Sequence, residues 1–300
     1  MSHRRALLLM ILVTLLWSTA GVVTRHLEAA RSFELTFWRS AFNAISLVVL
    51  LRWLRGPAFW GQLVRAPRLV WLSGAFWGLM FTAFMVALSM VSVATVLVTM
   101  ALGPLFTALF SRVFLRHQLP VRTWVAIALA TLGIAWMFWQ EAGEAGGAGL
   151  SGILVALLVP LAGAGNWTLL QRATHGSADP DAPAPGQDML PAVLIGALIS
   201  AALTLPLAWP FQASAHDLGL LGFLGLCQLA IPCLLAVRLS RVLPAPEIAL
   251  LGQLEVIFGV LWAWLGAGEA PAGATLIGGA IVLAALAGNE ILALRQRRSQ

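Results

Sequence analysis

The sequence predicts an all-α integral membrane protein with ten transmembrane helices, and three observations lead to that prediction. Hydrophobic residues make up 60% of the 300 residues and charged residues only 10%, whereas soluble domains carry about 25% charged residues. Apolar runs of about 20 residues, long enough to cross a bilayer as a helix, recur along the whole chain. Nearly all the arginines stand in the short polar segments between those runs.

The apolar runs form two groups of five, and each run begins and ends near arginine, proline, glycine or another polar residue. The first group is predicted over residues 6–23, 33–54, 69–88, 93–111 and 121–139, and the second over residues 150–170, 189–209, 218–240, 245–265 and 274–294. A glycine-rich segment between the groups, residues 141–149, predicts a hinge. The longest predicted loop, residues 174–188, is polar and proline-rich, and we assign it no function.

The arginines predict how the chain is oriented in the membrane. All 18 basic residues are arginines; fifteen are predicted on the side of both termini, Arg25 and Arg31 on the other side, and Arg39 inside helix 2. Because basic residues are enriched on the cytoplasmic side, both termini are expected in the cytoplasm of a bacterial inner-membrane protein. We expect Arg39 to reach the outer interface or to pair with Glu28 or Glu34.

Five helices per half place residues 146–300 in the membrane upside down relative to residues 1–145. The segments 91–120 and 244–269 resemble each other when one is shifted by 152 residues, which supports two related halves. Inverted repeats of this kind are the usual plan of secondary transporters, whose substrate binds at mid-membrane between the halves. The expected architecture is therefore two inverted five-helix repeats around a central cavity.

Several motifs then connect the chain to a known family. They are Leu16-Trp17-Ser18-Thr19 in the first helix, Phe37-Trp38-Arg39 in the second, residues 94–115 with Pro104 in the fourth, and residues 244–269 with Leu254-Glu255 in the ninth. In their order and spacing the chain resembles the EamA-type transporters of the drug/metabolite transporter superfamily over nearly its full length. It departs from that pattern where Val256 replaces a frequent proline, which predicts a straighter helix 9, and where His117 replaces a frequent acid.

Within that superfamily the chain is most similar to the YddG amino-acid exporters, on its first-helix motif, its length and its 13 tryptophans. This resemblance implies a secondary transporter that exports small metabolites, above all aromatic and other neutral amino acids, by alternating access. Two alternatives stay open: a multidrug or other metabolite carrier on the same fold, and a non-transporting membrane subunit or scramblase, because fold does not decide cargo.

A carrier of neutral amino acids needs an acceptor for the ammonium group, donors for the carboxylate and an apolar wall. Glu255, which is predicted deep inside helix 9, is the candidate ammonium acceptor, and a structural ion pair is the alternative. Asn166 and Trp167 follow Pro160 in a central helix and are candidate donors. Their alternatives are an interhelical hydrogen bond for Asn166 and apolar packing for Trp167.

The remaining candidate substrate-binding residues are aromatic or uncharged polar side chains within predicted helices: Trp17, Phe81, Phe84, Thr99 and Gln228. The two phenylalanines share one helical stripe with Trp77, which would suit a large apolar substrate. The alternative for the aromatic residues is core or lipid packing. For the polar residues it is an interhelical hydrogen bond worth about 1 kcal/mol.

An enzymatic function is not expected from this sequence. The five histidines are scattered over loops and termini, no pair has metal-ligand spacing, there is no P-loop, and all four aspartates are predicted in loops. We therefore expect no catalytic residue, no metal, no cofactor and no nucleic-acid partner; the expected partners are an amino acid and membrane lipid, with the chain as a monomer. Energy coupling is open between proton exchange at Glu255 and facilitated diffusion.

Overall fold

The structure is a computed structural model, and it describes residues 3–56, 59–115, 120–145, 147–175, 188–239, 242–243 and 251–298. Every regular element within these ranges is helical. Seven helical segments of the described chain are long and apolar enough to cross a membrane, and three shorter apolar helices accompany them. Large apolar side chains such as Val49, Leu132 and Leu265 remain exposed on the outside of the helices, as expected for surfaces that contact lipid.

The first half of the chain forms eight helices: α1 (His3–Trp17), α2 (Thr19–Thr24), α3 (Ser32–Arg55), α4 (Phe59–Val64), α5 (Arg68–Met90), α6 (Val93–Met100), α7 (Gly103–Leu115) and α8 (Val121–Ala145). Two predicted helices are interrupted, the first at Ser18 and the fourth at residues 101–102. Pro104 explains the second interruption, because its ring would clash with the carbonyl group of Met100 in a continuous helix.

The second half contains α9 (Gly147–His175), α10 (Leu190–Ala208), α11 (Ala215–Phe223), a π-helical segment (Leu224–Ala230), α12 (Ile231–Leu239), α13 (Leu254–Ala267) and α14 (Gly273–Arg298). The elements α11, π segment and α12 follow one another without a break over Ala215–Leu239. The π segment ends two residues before Pro232, whose ring and missing N–H disfavour ordinary α winding in the preceding turn.

Three expectations about the elements of the second half need correction or fall outside the described residues. Most of the predicted hinge at residues 141–149 is helical, since α8 continues to Ala145 and α9 begins at Gly147; alanine and glutamate, both strong helix formers, occupy much of this segment. The expectation of a straighter helix 9 is wrong, because Gln253 forms a turn between helical Gly252 and α13. Most of the predicted loop 174–188 lies outside the described residues.

The centre of the bundle is built on close contact between α5 and α10. A methyl group added to Gly196 of α10 would lie 2.9 Å from both the carbonyl oxygen of Gly74 and the backbone nitrogen of Gly78. The absence of a side chain therefore lets the two backbones touch, as small residues do in membrane helix pairs. Trp77 and Ile195 are buried beside this contact. Helix α5 also packs on α9, and α10 packs on α3.

Helix α3 and the π segment also touch through a glycine. A methyl group on Gly225 would lie 2.7 Å from the backbone nitrogen of Asn43, so the π segment is held against α3. This contact sets the height at which side chains of the two elements meet. The helices α8 and α14 pack together at the side of the bundle.

Hydrogen bonds join the helix connections at one end of the bundle. Arg25 forms an ion pair of 2.5 Å with Glu269 and donates to the carbonyl oxygens of Leu88 and Val91. The carboxylate of Glu269 also accepts from the N–H of Val93, at 2.7 Å. The connection after α2, the start of α6 and the end of α13 are thereby held together.

Asp217 makes a second junction at this end. It lies in the first turn of α11 and is fully buried, so the expectation that all four aspartates lie in loops is wrong. Its carboxylate accepts hydrogen bonds of 2.8–2.9 Å from the N–H groups of Glu28, Ala29 and Ala30. These bonds explain its burial, because a buried carboxylate needs donors in place of water.

Candidate functional site

Arg39 of α3 is the centre of the candidate site. Only 2% of it is exposed, although it lies seven residues inside the helix. Its Nε and Nη2 donate to Oε1 of Gln228, at 3.3 and 3.1 Å, and its guanidinium carbon lies 5.4 Å from the ring centre of Phe84. Its Nη1 has no hydrogen-bond partner among the described residues.

The expectation that Arg39 reaches the interface or pairs with Glu28 or Glu34 is therefore wrong. The carboxylate of Glu34 accepts instead from the N–H groups of Gln212 and Ala213, both at 2.8 Å. Arg39 faces the π segment because α3 packs there, and that packing turns the guanidinium inward instead of toward the outer interface.

Gln228 connects Arg39 to the first helix. It is buried in the π segment, and its Nε2 donates to the backbone carbonyl of Trp17 at 3.2 Å. Trp17 thus joins the site through its main chain, while its half-buried indole packs with apolar residues. Gln228 uses both ends of its amide in bonds between helices, so in this structure it positions other groups.

Glu255 provides the opposite charge. It is half-buried in the first turn of α13, and it is close enough to Arg39 to interact electrostatically with it. The N-terminal turn of a helix favours a carboxylate because the unpaired N–H groups there carry partial positive charge. We refer to Arg39, Phe84, Gln228 and Glu255 as the arginine cluster.

A second group, the tryptophan cluster, consists of Ser73, Trp77, Phe81, Asn166 and Trp167. The hydroxyl of Ser73 donates to Oδ1 of Asn166 at 2.5 Å, and Asn166 is fully buried. The rings of Trp77 and Trp167 meet edge to face at 6.4 Å, and Phe81 lies 5.5 Å from Trp77. Nδ2 of Asn166 and Nε1 of Trp77 lack partners among the described residues.

Helix α5 connects the two clusters. Trp77, Phe81 and Phe84 are all buried, and they follow one another at the helical spacing of four and three residues. Phe81 belongs to the tryptophan cluster and Phe84 to the arginine cluster, so the predicted aromatic stripe forms a continuous buried surface between them.

Thr99 is the candidate that neither cluster includes. It is fully buried, and its hydroxyl donates to the carbonyl of Thr95 in its own helix, at 2.8 Å. This bond uses its single hydroxyl proton, which leaves Thr99 no donor for a substrate.

Sequence reasoning missed three residues of this region. The sequence places Arg39 at the interface, and the predicted candidates do not include Ser73 or Asn43. Asn43 is fully buried one turn deeper than Arg39 in α3, and neither atom of its amide has a partner among the described residues. The signal that could have found Arg39 and Asn43 is their position inside an apolar span, where polar side chains are costly and usually functional.

The comparison with known families decides what kind of protein carries this site. The model of the EamA-like transporter family matches residues 4–139 and, a second time, residues 150–289. The chain belongs to the EamA-like transporter family. It is therefore a multi-pass membrane protein of a family of transporters, in keeping with its apolar helices.

Individual similarities are more distant. The Uncharacterized transporter PA0485 of Pseudomonas aeruginosa is 26% identical over 140 residues, which cover 46% of this chain and 47% of that protein. The chain thus matches about half the length of this curated relative. A protein of known crystal structure superposes with a TM-score of 0.65 at 20% identity, over 98% of this chain and 99% of that one, and shares the fold.

In this EamA-like transporter, the site combines charged and aromatic side chains. Arg39 carries a donor without a partner among the described residues, Glu255 a half-buried carboxylate, and α5 a stripe of buried aromatic side chains. In the described part of the chain, no three His, Cys, Asp or Glu residues are grouped as a metal site would require.

Proposed function

We propose that this EamA-like transporter is a secondary transporter that exports small metabolites, above all aromatic and other neutral amino acids, by alternating access. The observation that carries the proposal is the composition of the site. Both family matches contribute polar or aromatic side chains to it. Those from α3, α5, α9 and the π segment include buried ones, and α13 contributes the half-buried Glu255. A substrate bound between two halves that move against each other would contact both.

The proposed architecture is ten transmembrane helices in two inverted repeats, residues 1–145 and 146–300, around a central cavity. The double match to one family model supports a duplication. The helix contacts support it as well, since α5 packs on α10 and α9 just as the Ala215–Leu239 span packs on α3 and α1. The interruptions at Ala101 and Gln253 are 152 residues apart, which is the interval that aligned the two segments in the sequence.

The proposed orientation places both termini in the cytoplasm, with the chain in a bacterial inner membrane. Arg25 and Arg31, the two arginines predicted outside, stand in the connection between α2 and α3. The hydrogen bonds of Arg25 and Asp217 join the connections at that same end of the bundle, which supports an alternation of up and down helices.

In the proposed mode of binding, Glu255 accepts the ammonium group of the amino acid, and the aromatic surface of α5 with Trp167 contacts its side chain. The cycle needs no cofactor, metal or covalent chemistry, and we propose that one chain is sufficient for it. Export down a cytoplasmic amino-acid gradient and exchange against a proton on Glu255 are both compatible with this scheme.

A multidrug carrier is the second candidate, and the same residues favour it. A site that holds both a half-buried carboxylate and aromatic rings also suits a lipophilic cation, because cations are attracted to carboxylates and to aromatic faces. Competition between phenylalanine and lipophilic cations for uptake would distinguish the two candidates, because lipophilic cations should inhibit uptake by a multidrug carrier and leave uptake by an amino-acid exporter unchanged.

The proposed function is tested by counterflow of radiolabelled phenylalanine, threonine and methionine in proteoliposomes. We expect the wild type to accumulate all three, and Glu255→Gln to reduce accumulation by about tenfold, equivalent to about 1.4 kcal/mol. Glu28→Gln is the matched control, because this carboxylate is exposed, and it should transport as the wild type does. Accumulation of none of the three by the wild type would refute amino-acid export.

A further inference from the structure

We propose that Arg39 and Asn43 form the site that binds the carboxylate of the transported amino acid. The inference rests on the proposed function and makes it more specific. It assigns the two charges of a zwitterion to two different elements, the carboxylate to α3 and the ammonium group to Glu255 on α13.

The first argument is the unused hydrogen-bonding capacity of Arg39. A guanidinium group has five N–H donors in a planar fork, and Gln228 accepts only from Nε and Nη2. Nη1 has no partner among the described residues. The remaining donors can bind a carboxylate, whose planar geometry matches the guanidinium group.

The second argument is the charge of Arg39. A guanidinium group that is only 2% exposed inside a membrane span is costly unless an anion compensates it. Gln228 is neutral, and Glu255, although it interacts electrostatically with Arg39, does not hydrogen-bond to Nη1, so no anion among the described residues binds that edge of the guanidinium group. A substrate carboxylate would supply the missing negative charge at that position.

The third argument is Asn43, which lies four residues after Arg39 and thus on the same face of α3. It is fully buried, and both its amide nitrogen and its amide oxygen lack partners among the described residues. The contact of Gly225 with the backbone of Asn43 holds the π segment at this height, and Gln228 extends from the same segment to Arg39. Arg39 and Asn43 therefore carry unused donors one turn apart on one helix.

Aromatic packing fixes the orientation of the guanidinium group. The ring of Phe84 lies under it at 5.4 Å, and Gln228 holds its Nε edge. These two contacts leave the Nη1 edge as the side on which a carboxylate can bind. The arrangement predicts a carrier that requires the carboxylate and discriminates against amines of the same side chain.

The wild type provides the first test. Unlabelled phenylalanine should inhibit counterflow of radiolabelled phenylalanine. Phenylalaninol and phenethylamine, which lack the carboxylate, should need concentrations at least about tenfold higher for the same inhibition. If those two compounds inhibit as well as phenylalanine does, the inference is wrong while amino-acid export stands. If no amino acid is transported at all, the proposed function fails, and this inference with it.

Variants provide the second test. In Arg39→Gln we expect the preference for phenylalanine over phenylalaninol to disappear, whereas Arg39→Lys should retain part of it and Asn43→Ala should reduce it. Arg31→Gln, at an exposed arginine just before α3, is the matched control and should keep the full preference. Monodispersity and thermal midpoint in detergent establish that each variant folds.

A folded Arg39→Gln variant that still prefers phenylalanine would overturn the inference. So would one that loses all transport while binding phenylalanine and phenylalaninol with unchanged relative affinity, because Arg39 would then act structurally. Should Arg39→Gln fail to fold, the wild-type competition and the Asn43→Ala variant decide, since neither depends on removing the buried charge.

Discussion

At the scale of single residues, the interior of this transporter is defined by polar side chains that are only partly satisfied. Arg39, Asn43 and Asn166 are all buried, and each has at least one side-chain nitrogen without a partner in the described chain. Buried polar groups in proteins are normally paired. The two of them that lie on α3, Arg39 and Asn43, are the basis of the carboxylate site proposed above.

A prediction at this scale concerns the bond between Ser73 and Asn166. Ser73→Ala removes the only hydrogen bond that the amide of Asn166 makes to the described residues, and we expect it to destabilise the protein by about 1 kcal/mol. Ser89→Ala is the control, because Ser89 is exposed and donates within its own helix. Thermal unfolding in detergent measures both, and equal midpoints for the two variants would contradict the prediction.

At the scale of elements, glycines decide which helices touch. Gly196 lets α10 contact α5, and Gly225 lets the π segment contact α3. The first contact buries Trp77 beside α10, and the second brings the π segment with Gln228 to Arg39. The prolines act at the same scale, since Pro104 separates α6 from α7 and Pro232 follows the π segment.

The prediction for this scale is that Gly196→Ala destabilises the bundle by about 1–3 kcal/mol, the usual cost of overpacking. The added methyl would lie within 3 Å of the backbone of α5, which cannot move aside as a flexible side chain can. Gly219→Ala is the matched control, because its added methyl has no neighbour within 4 Å. A thermal midpoint of Gly196→Ala at or above that of the control would show that α5 and α10 do not pack as described.

At the scale of the whole molecule, the proposed inverted repeat and its orientation predict which connections lie on each side of the membrane. The connections joined by Arg25 and Asp217 should face the periplasm, and the segment around Arg65 the cytoplasm. The double family match and the paired helix contacts both favour that arrangement.

Single-cysteine labelling tests this orientation in a background in which Cys227 and Cys233 are replaced by alanine. Gln212→Cys and Arg65→Cys both place the thiol at exposed positions. A membrane-impermeant maleimide should label Gln212→Cys in intact cells, and Arg65→Cys only after the membrane is opened. The reverse pattern would show that the orientation is opposite to the one proposed. Labelling of both variants in intact cells would place both positions on the outside, which contradicts the odd number of membrane spans proposed between them.

Much of the fold could be predicted from the sequence alone, whereas the site could be predicted only in part. The predicted helix over residues 33–54 corresponds to α3, and the one over residues 69–88 to α5, because apolar runs report directly on which segments prefer lipid. The aromatic stripe of α5 followed from its spacing. The bond of Arg39 to Gln228 could not be predicted, since it joins residues 189 positions apart.

The sequence by itself determined that this chain is a multi-pass helical membrane protein, where its apolar segments lie and to which transporter family it belongs. Those properties depend on local composition and on motifs, which can be recognised without knowing which helices touch. Only the tertiary structure decided that Arg39 is buried beside Gln228 and Phe84, and that Ser73 donates to Oδ1 of Asn166. The physical reason is that close backbone contacts, such as that of Gly225 with α3, decide which face of a helix packs on which neighbour. These contacts depend on the packing of the whole bundle.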